Sequence, residues 1–522
     1  PIRVDLSIVK ENTYEQSEFR GRKIFKPKSE YNFQSANVLE NAEKYEIELE
    51  VLNNKVGAGT DFSSVNILSK SLRKAIIYIL SGLQMTNYPI SYGEIDKIGT
   101  QYLKLVHGEN YNERMKMKPK LFLGPSSKTL QMKHIMPLDD DSDTPNIRKD
   151  YTVTEKADGL RKLLYINNDG KIYLIDTNMN VQSTGAVTKN VDTFNTILDG
   201  EHILHNKKGD YINLYAAFDV YIINKKDVRA NSFIPSPDNK DTNLSRYRLP
   251  VLIDIIKTLD AKSNSSTDKP SPIRIENKKF KAENKDVSIF QCCNAIIDQE
   301  KQGLYEYEID GIIFTPAYLG VASNKVGEAG SLMKPSWEHS FKWKPPKFNT
   351  IDFLVTTKKD ANGSEDYIGN IFQDGISTTS NKQLSQYKTI ILRVGFDEKK
   401  HGYINPCSDV INNKLPNYGG DINENTYKPI PFYPSNPPDM ETNICNIMLK
   451  VDETGNKKLF TEENEVFDDG MIVEFKYDFT REHKWRWVPI RVRYDKTEEY
   501  KKGFPQYGNA YHVANDNWHS IH

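Results

Sequence analysis

Residues 151–165, YTVTEKADGLRKLLY, constrain the fold more than any other part of the sequence. Their apolar residues flank Asp158-Gly159, a pair that favours a two-residue turn between β-strands. The pattern therefore predicts a β-hairpin with Lys156 at the mouth of the turn and Arg161 just beyond it. A lysine there projects from the edge of a sheet towards any neighbouring cleft. Most such lysines are merely exposed, so residues elsewhere must decide whether this one has a function.

A length of 522 residues is enough for about three domains of ordinary size. The net charge of −1 argues against a protein that coats nucleic acid along its whole surface, so any contact with nucleic acid has to be local. No apolar run approaches the roughly 20 residues of a membrane span, and we expect no membrane association. The four cysteines show neither disulfide-framework nor zinc-site spacing, which indicates a reducing compartment. Both termini interrupt a pattern, so we expect a fragment of a longer polypeptide.

Hydrophobic periodicity predicts an α+β protein. Helices are expected over residues 63–83, 92–106, 249–259 and 287–302, with a polar surface insertion at residues 262–286. Strand-like segments lie between these helices. Beyond residue 347, short strands with long polar connections favour a small barrel such as the OB fold.

An acidic strand is predicted near the start of the chain, where YEIELEV places Glu46, Glu48 and Glu50 on one face. Three carboxylates in a row repel one another unless cations or a metal lie between them. Two interpretations remain open. The strand is either a solvated acidic edge or a face that binds Mg²⁺ or Mn²⁺ inside a barrel or tunnel.

Short motifs that join a charged residue to a strand recur after the lysine stretch. They are Asp199-Gly200-Glu201, Phe218-Asp219, Asp310-Gly311, Lys342-Trp343-Lys344 and, on a predicted strand, Arg493-Tyr494-Asp495-Lys496. Each is a weak signal by itself. Their order and spacing carry the information.

In this order the motifs resemble those of the covalent nucleotidyltransferase superfamily, which contains the mRNA guanylyltransferases and the ATP- and NAD-dependent polynucleotide ligases. The segment from Lys156 to Arg161 resembles the motif of the nucleophilic lysine. The segment from Arg493 to Lys496 resembles the last motif in the form typical of capping guanylyltransferases. With its acidic strand upstream, the layout is similar to multifunctional capping enzymes of large cytoplasmic DNA viruses, of the African swine fever virus and mimivirus type. The resemblance extends over most of residues 1–510.

The resemblance implies four regions. Residues 1–114 would be a partial RNA triphosphatase tunnel with helices, and residues 115–347 a ligase-like nucleotidyltransferase domain unrelated to the ATP-grasp fold. Residues 348–497 would be an OB-fold β-barrel, and residues 498–522 a linker towards a methyltransferase domain beyond this sequence. Glu46, Glu48 and Glu50 would be the remnant of a triphosphatase metal site. No second Glu-x-Glu strand precedes them, so we expect this site to be half complete.

The implied reaction is mRNA guanylyl transfer, in which Lys156 takes GMP from GTP and a 5′-diphosphate RNA end then accepts it as a GpppN cap. A free lysine has a pKa of about 10.4, so attack needs a site that favours the neutral amine, and cationic neighbours do this. Phe218 would either stack on guanine or pack in the core. Glu201 and Asp310 are candidates for contacts with Mg²⁺ or Mn²⁺ or with the ribose. The residues expected to bind GTP are Arg161, Glu201, Phe218, Asp310, Lys342, Lys344, Arg493, Asp495 and Lys496.

Two alternatives remain. An ATP-dependent polynucleotide ligase shares the lysine motif, and an inactive scaffold could bind RNA or protein without chemistry. The partners implied by the capping interpretation are GTP, 5′-diphosphate or triphosphate RNA and a methyltransferase domain of the same intact polypeptide. The implied location is the cytoplasm, in a viral factory or a virion.

Overall fold

The computed structural model describes the chain apart from residues 13, 20–21, 28, 37, 41–42, 138–141, 237–242, 373–383, 398–409, 412–426, 453–454 and 502. The described residues form two compact units. The first is Asn53–Lys344, and the second is Ile2–Leu52 together with Pro345–His522. Each has a hydrophobic core of its own. In this described part every helix is too short or too polar to cross a membrane.

The helices and strands follow in chain order within each unit. The helices are α1 (Phe33–Ala36), α2 (Val65–Leu83), α3 (Tyr92–His107), α4 (Arg248–Thr258), α5 (Ile289–Lys301), α6 (Tyr494–Lys501) and α7 (Tyr511–Ile521). The strands of the second unit are β1 (Ile2–Lys10), β2 (Tyr14–Phe19), β3 (Arg22–Pro27), β4 (Glu43–Val51), β19 (Thr350–Thr357), β20 (Ile368–Phe372), β21 (Leu384–Asp397), β22 (Tyr427–Pro431), β23 (Ile444–Met448), β24 (Lys450–Val451), β25 (Lys457–Phe460), β26 (Val466–Phe467), β27 (Ile472–Tyr477) and β28 (Trp487–Val492). Those of the first unit are β5 (Ser126–Thr129), β6 (Tyr151–Ala157), β7 (Leu160–Ile166), β8 (Lys171–Asp176), β9 (Val181–Val187), β10 (Thr196–His205), β11 (Tyr211–Ile223), β12 (Lys226–Asp227), β13 (Lys262–Ser263), β14 (Ser266–Pro270), β15 (Arg274–Asn277), β16 (Lys281–Ala282), β17 (Ile309–Pro316) and β18 (Ser336–Trp343).

The four helices predicted from periodicity are confirmed as α2 to α5, with ends that differ by one or two residues. Serine caps explain three of the starts. The side chains of Ser64 and Ser91 accept from backbone amides of α2 and α3, and Ser288 with Gln291 forms a capping box at α5.

Two sheets organise the first unit. The larger has the strand order β12-β11-β10-β7-β8-β9-β13-β14, with β15 parallel to β11. It is covered on both faces, because Leu163 and Tyr165 of β7 pack with residues of α3, whereas Leu164 packs with residues of α4. A strand covered on both faces needs apolar residues in succession, which is why LLYI does not alternate with polar residues. The smaller sheet, β16-β6-β17-β18-β5, packs against α5.

The predicted hairpin at Asp158-Gly159 is wrong. Strand β6 pairs with β16 and β17 of the smaller sheet, whereas β7 pairs with β8 and β10 of the larger one. Asp158 and Gly159 form a bend that carries the chain from one sheet to the other. Asp158 and Gly159 determine only the local change of chain direction. Which strands become neighbours is decided by long-range pairing, of β6 with β17 and of β7 with β10.

The predicted insertion at residues 262–286 differs from expectation too. It contains the short strands β13 to β16, which extend both sheets of the first unit. Its Lys278 is only 6% exposed. The polar composition of this segment suggested a surface loop, although its backbone pairs with strands at the edges of both sheets.

The main sheet of the second unit has the order β20-β21-β19-β27-β28, and β22 and β23 also pair with β21. Among the described strands no ring closes. The core of this unit is aromatic and includes Phe353, Phe475 and Trp487. The C-terminal residues predicted as a linker contribute α7, whose Trp518 is 1% exposed and donates from Nε1 to the Pro437 carbonyl at 2.9 Å.

Candidate active site

Lys156 and Asp310 meet where β6 pairs with β17. Lys156 lies opposite Gly311, and the register shifts by one residue between Ile309 and Gly311, so Asp310 sits in an irregularity of the strand. The Lys156 Nζ lies 2.7 Å from Asp310 Oδ1, and the Lys344 Nζ lies 2.6 Å from Asp310 Oδ2. One carboxylate therefore holds two of the predicted lysines.

Glycine is required beside this carboxylate. Gly311 has φ +155°, and a Cβ atom there would lie 2.0 Å from the Trp343 carbonyl oxygen. The close approach of the two backbones brings Lys344, which follows Trp343, to the Asp310 carboxylate. The Asp-Gly pair thus has a steric reason in addition to a chemical one.

Lys342 faces the same side of the smaller sheet as Lys156. Its partner in the register is Ile313, two residues beyond the partner of Lys156. Burial lowers the pKa of Lys342, and the positive charges of Lys156 and Lys344 lower it further. Three ammonium groups are therefore concentrated around one carboxylate.

Arg161 is held across the larger sheet by Asp199. Its Nε and Nη2 atoms donate to the two Asp199 oxygens at 3.1 and 2.5 Å, and the Tyr221 hydroxyl donates to the same carboxylate at 2.5 Å. Arg161 Nη1 also donates to the Pro125 carbonyl at 2.6 Å. Asp199 is fully buried. It orients the guanidinium, and sequence reasoning missed this role although the residue belongs to a recognised motif.

Glu201 lies opposite Arg161 in the register of β10 and β7. Burial raises the pKa of Glu201 to about 7, against the opposing effects of Lys278, Lys156 and Arg161. No hydrogen bond or ion pair to this carboxylate occurs among the described residues. The geometry therefore offers a partly buried acid that faces three cations and is not saturated by protein donors.

Phe218 and Asp219 have different surroundings. The Phe218 ring is half-buried, and the Arg161 guanidinium lies 5.7 Å from its centroid. Asp219 is instead paired with the fully buried Arg248 of α4 at 2.9 Å. Asp219 therefore ties α4 to the sheet, whereas Phe218 presents a ring beside the predicted cations.

These side chains line one cavity of 290 Å³, here called the Lys156 cleft. Asp310 and Lys344 adjoin it through the ion pair with Lys156. The predicted residues among its lining are Lys156, Arg161, Glu201, Phe218 and Lys342, and the lining residues that the sequence did not reveal include Ser126, Ser127, Thr154, Lys278 and Thr315.

Lys278 is the most informative of the missed residues. Its Nζ donates to the Glu155 carbonyl at 2.7 Å and lies 3.5 Å from the Glu155 carboxylate. Glu155 is itself buried and accepts a hydrogen bond from the Tyr307 hydroxyl at 2.8 Å. The sequence around Lys278 looks like a polar loop. It therefore does not indicate that this lysine is buried and reaches the cleft.

Arg493, Asp495 and Lys496 belong to the second unit. Arg493 Nη1 and Lys496 Nζ each lie 2.6 Å from Asp352 Oδ2, and Asp495 lies 3.5 Å from Arg493. The prediction that these residues lie on a strand is wrong, since β28 ends at Val492 and α6 begins at Tyr494. The first backbone N–H groups of a helix have no partner within the helix, so polar residues are common at its start. The strand-like residues that precede this helix led us to predict that the strand continues.

Glu46, Glu48 and Glu50 do share one face of a strand, as predicted. They lie on β4 opposite Ser7, Asp5 and Arg3 of β1, and Arg3 is 2.9 Å from Glu50. All three carboxylates are exposed. Within the described residues, no group of three or more His, Cys, Asp or Glu side chains is arranged to hold a metal ion.

The chain is similar to known proteins over the residues that line this cleft. The model of the family described as mRNA capping enzyme, catalytic domain, matches residues 109–345. The chain is 25% identical over 527 residues to a probable mRNA-capping enzyme of Acanthamoeba polyphaga mimivirus, a match that covers 91% of this chain and 37% of the relative. An mRNA-capping enzyme of Danio rerio is 25% identical over 271 residues, covering 49% of this chain and 41% of that protein. The chain thus spans well under half the length of these relatives.

A mycobacterial DNA ligase D complexed with ATP and MES is similar at 11% identity with a TM-score of 0.29, over 71% of this chain and 96% of the ligase.

Proposed function

We propose that residues 109–345, which match the family model described as mRNA capping enzyme, catalytic domain, form a domain of that kind and that the chain is an mRNA guanylyltransferase. GTP would react with Lys156 to form a lysyl–GMP phosphoramidate. A 5′-diphosphate RNA end would then accept the GMP and become a GpppN cap. The observation that carries the proposal is the convergence of Lys156, Arg161, Glu201 and Lys342 on one cleft.

The first step forms a bond between Lys156 Nζ and the α-phosphorus of GTP and breaks the bond from that phosphorus to the bridging oxygen, so that pyrophosphate leaves. The amine must lose its proton before it attacks. In the second step a β-phosphate oxygen of the RNA attacks the same phosphorus, the P–N bond breaks and the lysine takes up a proton.

Arg161 is proposed to bind phosphate. Asp199 and Tyr221 fix its guanidinium in one orientation, which reduces the entropy lost when a phosphate binds. Lys342 would add a point charge at the same phosphates as negative charge develops on them. Phe218 would stack on guanine, a role supported by its position on the cleft wall.

The residues present suit a divalent cation. Mg²⁺ is usually bound by one or two carboxylates together with substrate phosphates. Glu201 and Asp310 supply such a donor set, and in the described structure Glu201 has no protein donor that competes for it. We assign both to Mg²⁺ or Mn²⁺, which would polarise the α-phosphate when bound.

The remaining regions are assigned by the same proposal. Residues 348–497 would be an OB-fold domain whose Arg493, Asp495 and Lys496 bind the β- and γ-phosphates of GTP. Residues 1–114 would be a triphosphatase-like region, with Glu46, Glu48 and Glu50 as part of its metal site. Residues 498–522 would lead towards a methyltransferase domain in the intact polypeptide. The mimivirus relative supports a viral setting, and we propose the cytoplasm, in a viral factory or virion, as its location.

Transfer of radiolabel from α-labelled GTP tests the proposal. We expect wild-type protein to retain covalent label, Lys156→Ala to retain none, and peptide mapping to find the label on Lys156. Lys226→Ala is the matched control, because Lys226 is an exposed lysine at a distant sheet edge and should label like wild type.

The nucleotide used decides between the alternatives. Label from ATP but not from GTP would identify a polynucleotide ligase instead. A protein that binds RNA but takes up no label with Mg²⁺ or Mn²⁺ would be the inactive scaffold.

A further inference from the structure

A row of cations precedes, in the sequence, the first residues that line the Lys156 cleft, Pro125 to Ser127. These cations, here called the basic track, are Arg114, Lys116, Lys118 and Lys120. They occupy every second position of a segment that begins with a turn at residues 113–114, has no regular structure at residues 115–118 and ends in a short 3-10 helix, Pro119–Leu121. Met115 and Met117, which lie between them, turn inward and pack against the core that contains α3. All four cations are therefore directed to solvent.

The charge of the basic track is not neutralised by the protein. In the part of the chain that the structure describes, none of its four side chains forms an ion pair or a hydrogen bond. One carboxylate, the exposed Glu113, lies in the same segment. Unpaired cations in a row repel one another, so their arrangement does not stabilise the protein. The same arrangement attracts an external polyanion.

Contacts connect the basic track to the Lys156 cleft. The Lys334 amide donates to the Lys120 carbonyl at 2.9 Å, and the Lys334 Nζ lies 5.5 Å from the centroid of the Phe122 ring. The Arg161 guanidinium lies at the same distance of 5.5 Å from that ring. Pro125, which accepts from Arg161, lines the cleft. The backbone of Lys120 is thus connected to the proposed phosphate-binding Arg161 through Lys334 and Phe122.

We propose that the basic track binds the first nucleotides of the acceptor RNA, an inference that rests on the proposed guanylyltransferase function. The 5′-diphosphate would enter the Lys156 cleft, and the strand would continue from Lys120 towards Arg114. Lys118 has an extended backbone, and two residues of extended chain span about 7 Å, which is comparable with the separation of successive phosphates in an extended single strand. Contacts of this kind bind RNA without regard to sequence.

RNA is a better occupant than an acidic protein for a geometric reason. The acceptor must deliver its terminal phosphate to the Lys156 cleft, and the basic track adjoins that cleft through Phe122 and Arg161. An acidic protein that binds the basic track would have no reason to place a chain end in the Lys156 cleft.

The two half-reactions separate the contribution of the basic track from that of the cleft. The test variant replaces all four cations of the basic track by Gln. The control variant replaces Lys189, Lys208, Lys226 and Lys257 by Gln, which are exposed lysines of the same unit. Each protein is loaded with GMP from GTP without RNA. Transfer is then measured to a long 5′-diphosphate RNA and to a 5′-diphosphate dinucleotide.

We expect normal GMP loading in both variants. The test variant should show a KM for long RNA raised about tenfold or more and an unchanged KM for the dinucleotide, which is too short to follow the basic track. The slope of log affinity against log salt concentration should become shallower by up to about 3, since each contact with a single strand contributes about 0.7. The control variant should match wild type.

Other results would overturn the inference. Failure of wild type to load GMP would contradict the proposed function itself. Normal loading with an unchanged KM for long RNA in the test variant would exclude the basic track as the acceptor path. An equal rise for both acceptors would indicate damage to the cleft. Loss of poly-glutamate binding with unchanged RNA transfer would make the track a protein-docking surface.

Discussion

Glu201, which lines the Lys156 cleft, differs from the nearby Asp199 and Asp310 in how its charge is compensated. Asp199 and Asp310 are each held by direct ion pairs with cations. Glu201 instead faces Lys278, Lys156 and Arg161 without a hydrogen bond to any described residue, and burial raises its pKa to about 7 from an ordinary value of 4.5. This carboxyl group therefore keeps its proton over a pH range in which the unfolded chain has lost it.

We predict that the protonation of Glu201 makes stability fall as the pH rises. Between pH 4.5 and 7 the folded protein binds a proton that the unfolded chain releases, so the free energy of unfolding decreases with pH across that window. The contribution of Glu201 should drop by up to about 3 kcal/mol. Glu201→Gln lacks the titrating group, so the difference between wild type and variant isolates it.

Urea unfolding at both ends of that window, in metal-free buffer, measures this difference. The wild type should lose more stability than Glu201→Gln as the pH rises. Equal losses would show that Glu201 titrates normally.

At the level of the element, the irregularity of β17 at Asp310-Gly311 is the feature that brings two strands together around Lys156. We predict that Gly311→Ala is severely destabilising, by at least about 3 kcal/mol, because the added Cβ meets the Trp343 backbone oxygen, which cannot move independently of β18. GMP labelling of Lys156 should be lost with it. Chemical denaturation and GTP labelling measure the two effects.

Gly303→Ala is the matched control for backbone conformation. Gly303 has φ +69°, but a Cβ there meets nothing within 4 Å. We expect a cost of about 1 kcal/mol from conformation alone and normal labelling. Similar losses for both variants would mean that the close contact at Gly311 has no special role.

The sequence predicted individual elements better than their partners. The four long helices follow from periodicity and caps, because both are local properties. The hairpin prediction failed because Asp158-Gly159 reports a turn and not the strands that flank it in space. The OB-fold barrel stays a prediction.

Site residues divide in the same way. Lys156, Arg161, Glu201, Phe218 and Lys342 lie in recognisable motifs and line the cleft. Lys278 was not predicted, because its burial depends on Glu155, more than a hundred residues away along the chain. Asp219 was a motif residue by sequence, yet its partner Arg248 gives it a structural role.

At the level of the whole molecule, the second unit is assembled from both ends of the chain, with the first unit inserted between them. Its core includes α7, so the last described helix contributes to a fold whose main sheet begins at Thr350. The first unit has separate cores around α3, α4 and α5. Each unit therefore has its own source of stability.

We predict two thermal transitions in calorimetry, one for each unit. Trp518→Ala removes a large buried side chain from the aromatic core and should lower only the transition of the second unit, by about 3 to 5 kcal/mol in unfolding free energy. Gly311→Ala should lower only the other transition. A single transition that shifts with both variants would show that the two units unfold as one.

The two-residue connection at Asp158-Gly159 has a consequence for how such a chain can change over evolutionary time. Strand β6, which carries Lys156, belongs to the smaller sheet, and β7, which carries Arg161, belongs to the larger one. This connection is therefore the shortest covalent link between the two sheets. Most surface loops tolerate added or lost residues, but a link of two residues has no slack to absorb them. An insertion at this point would separate the nucleophile from the proposed phosphate-binding arginine while leaving both cores intact. We therefore expect insertions and deletions to be tolerated less well at this connection than at most other loops of the chain.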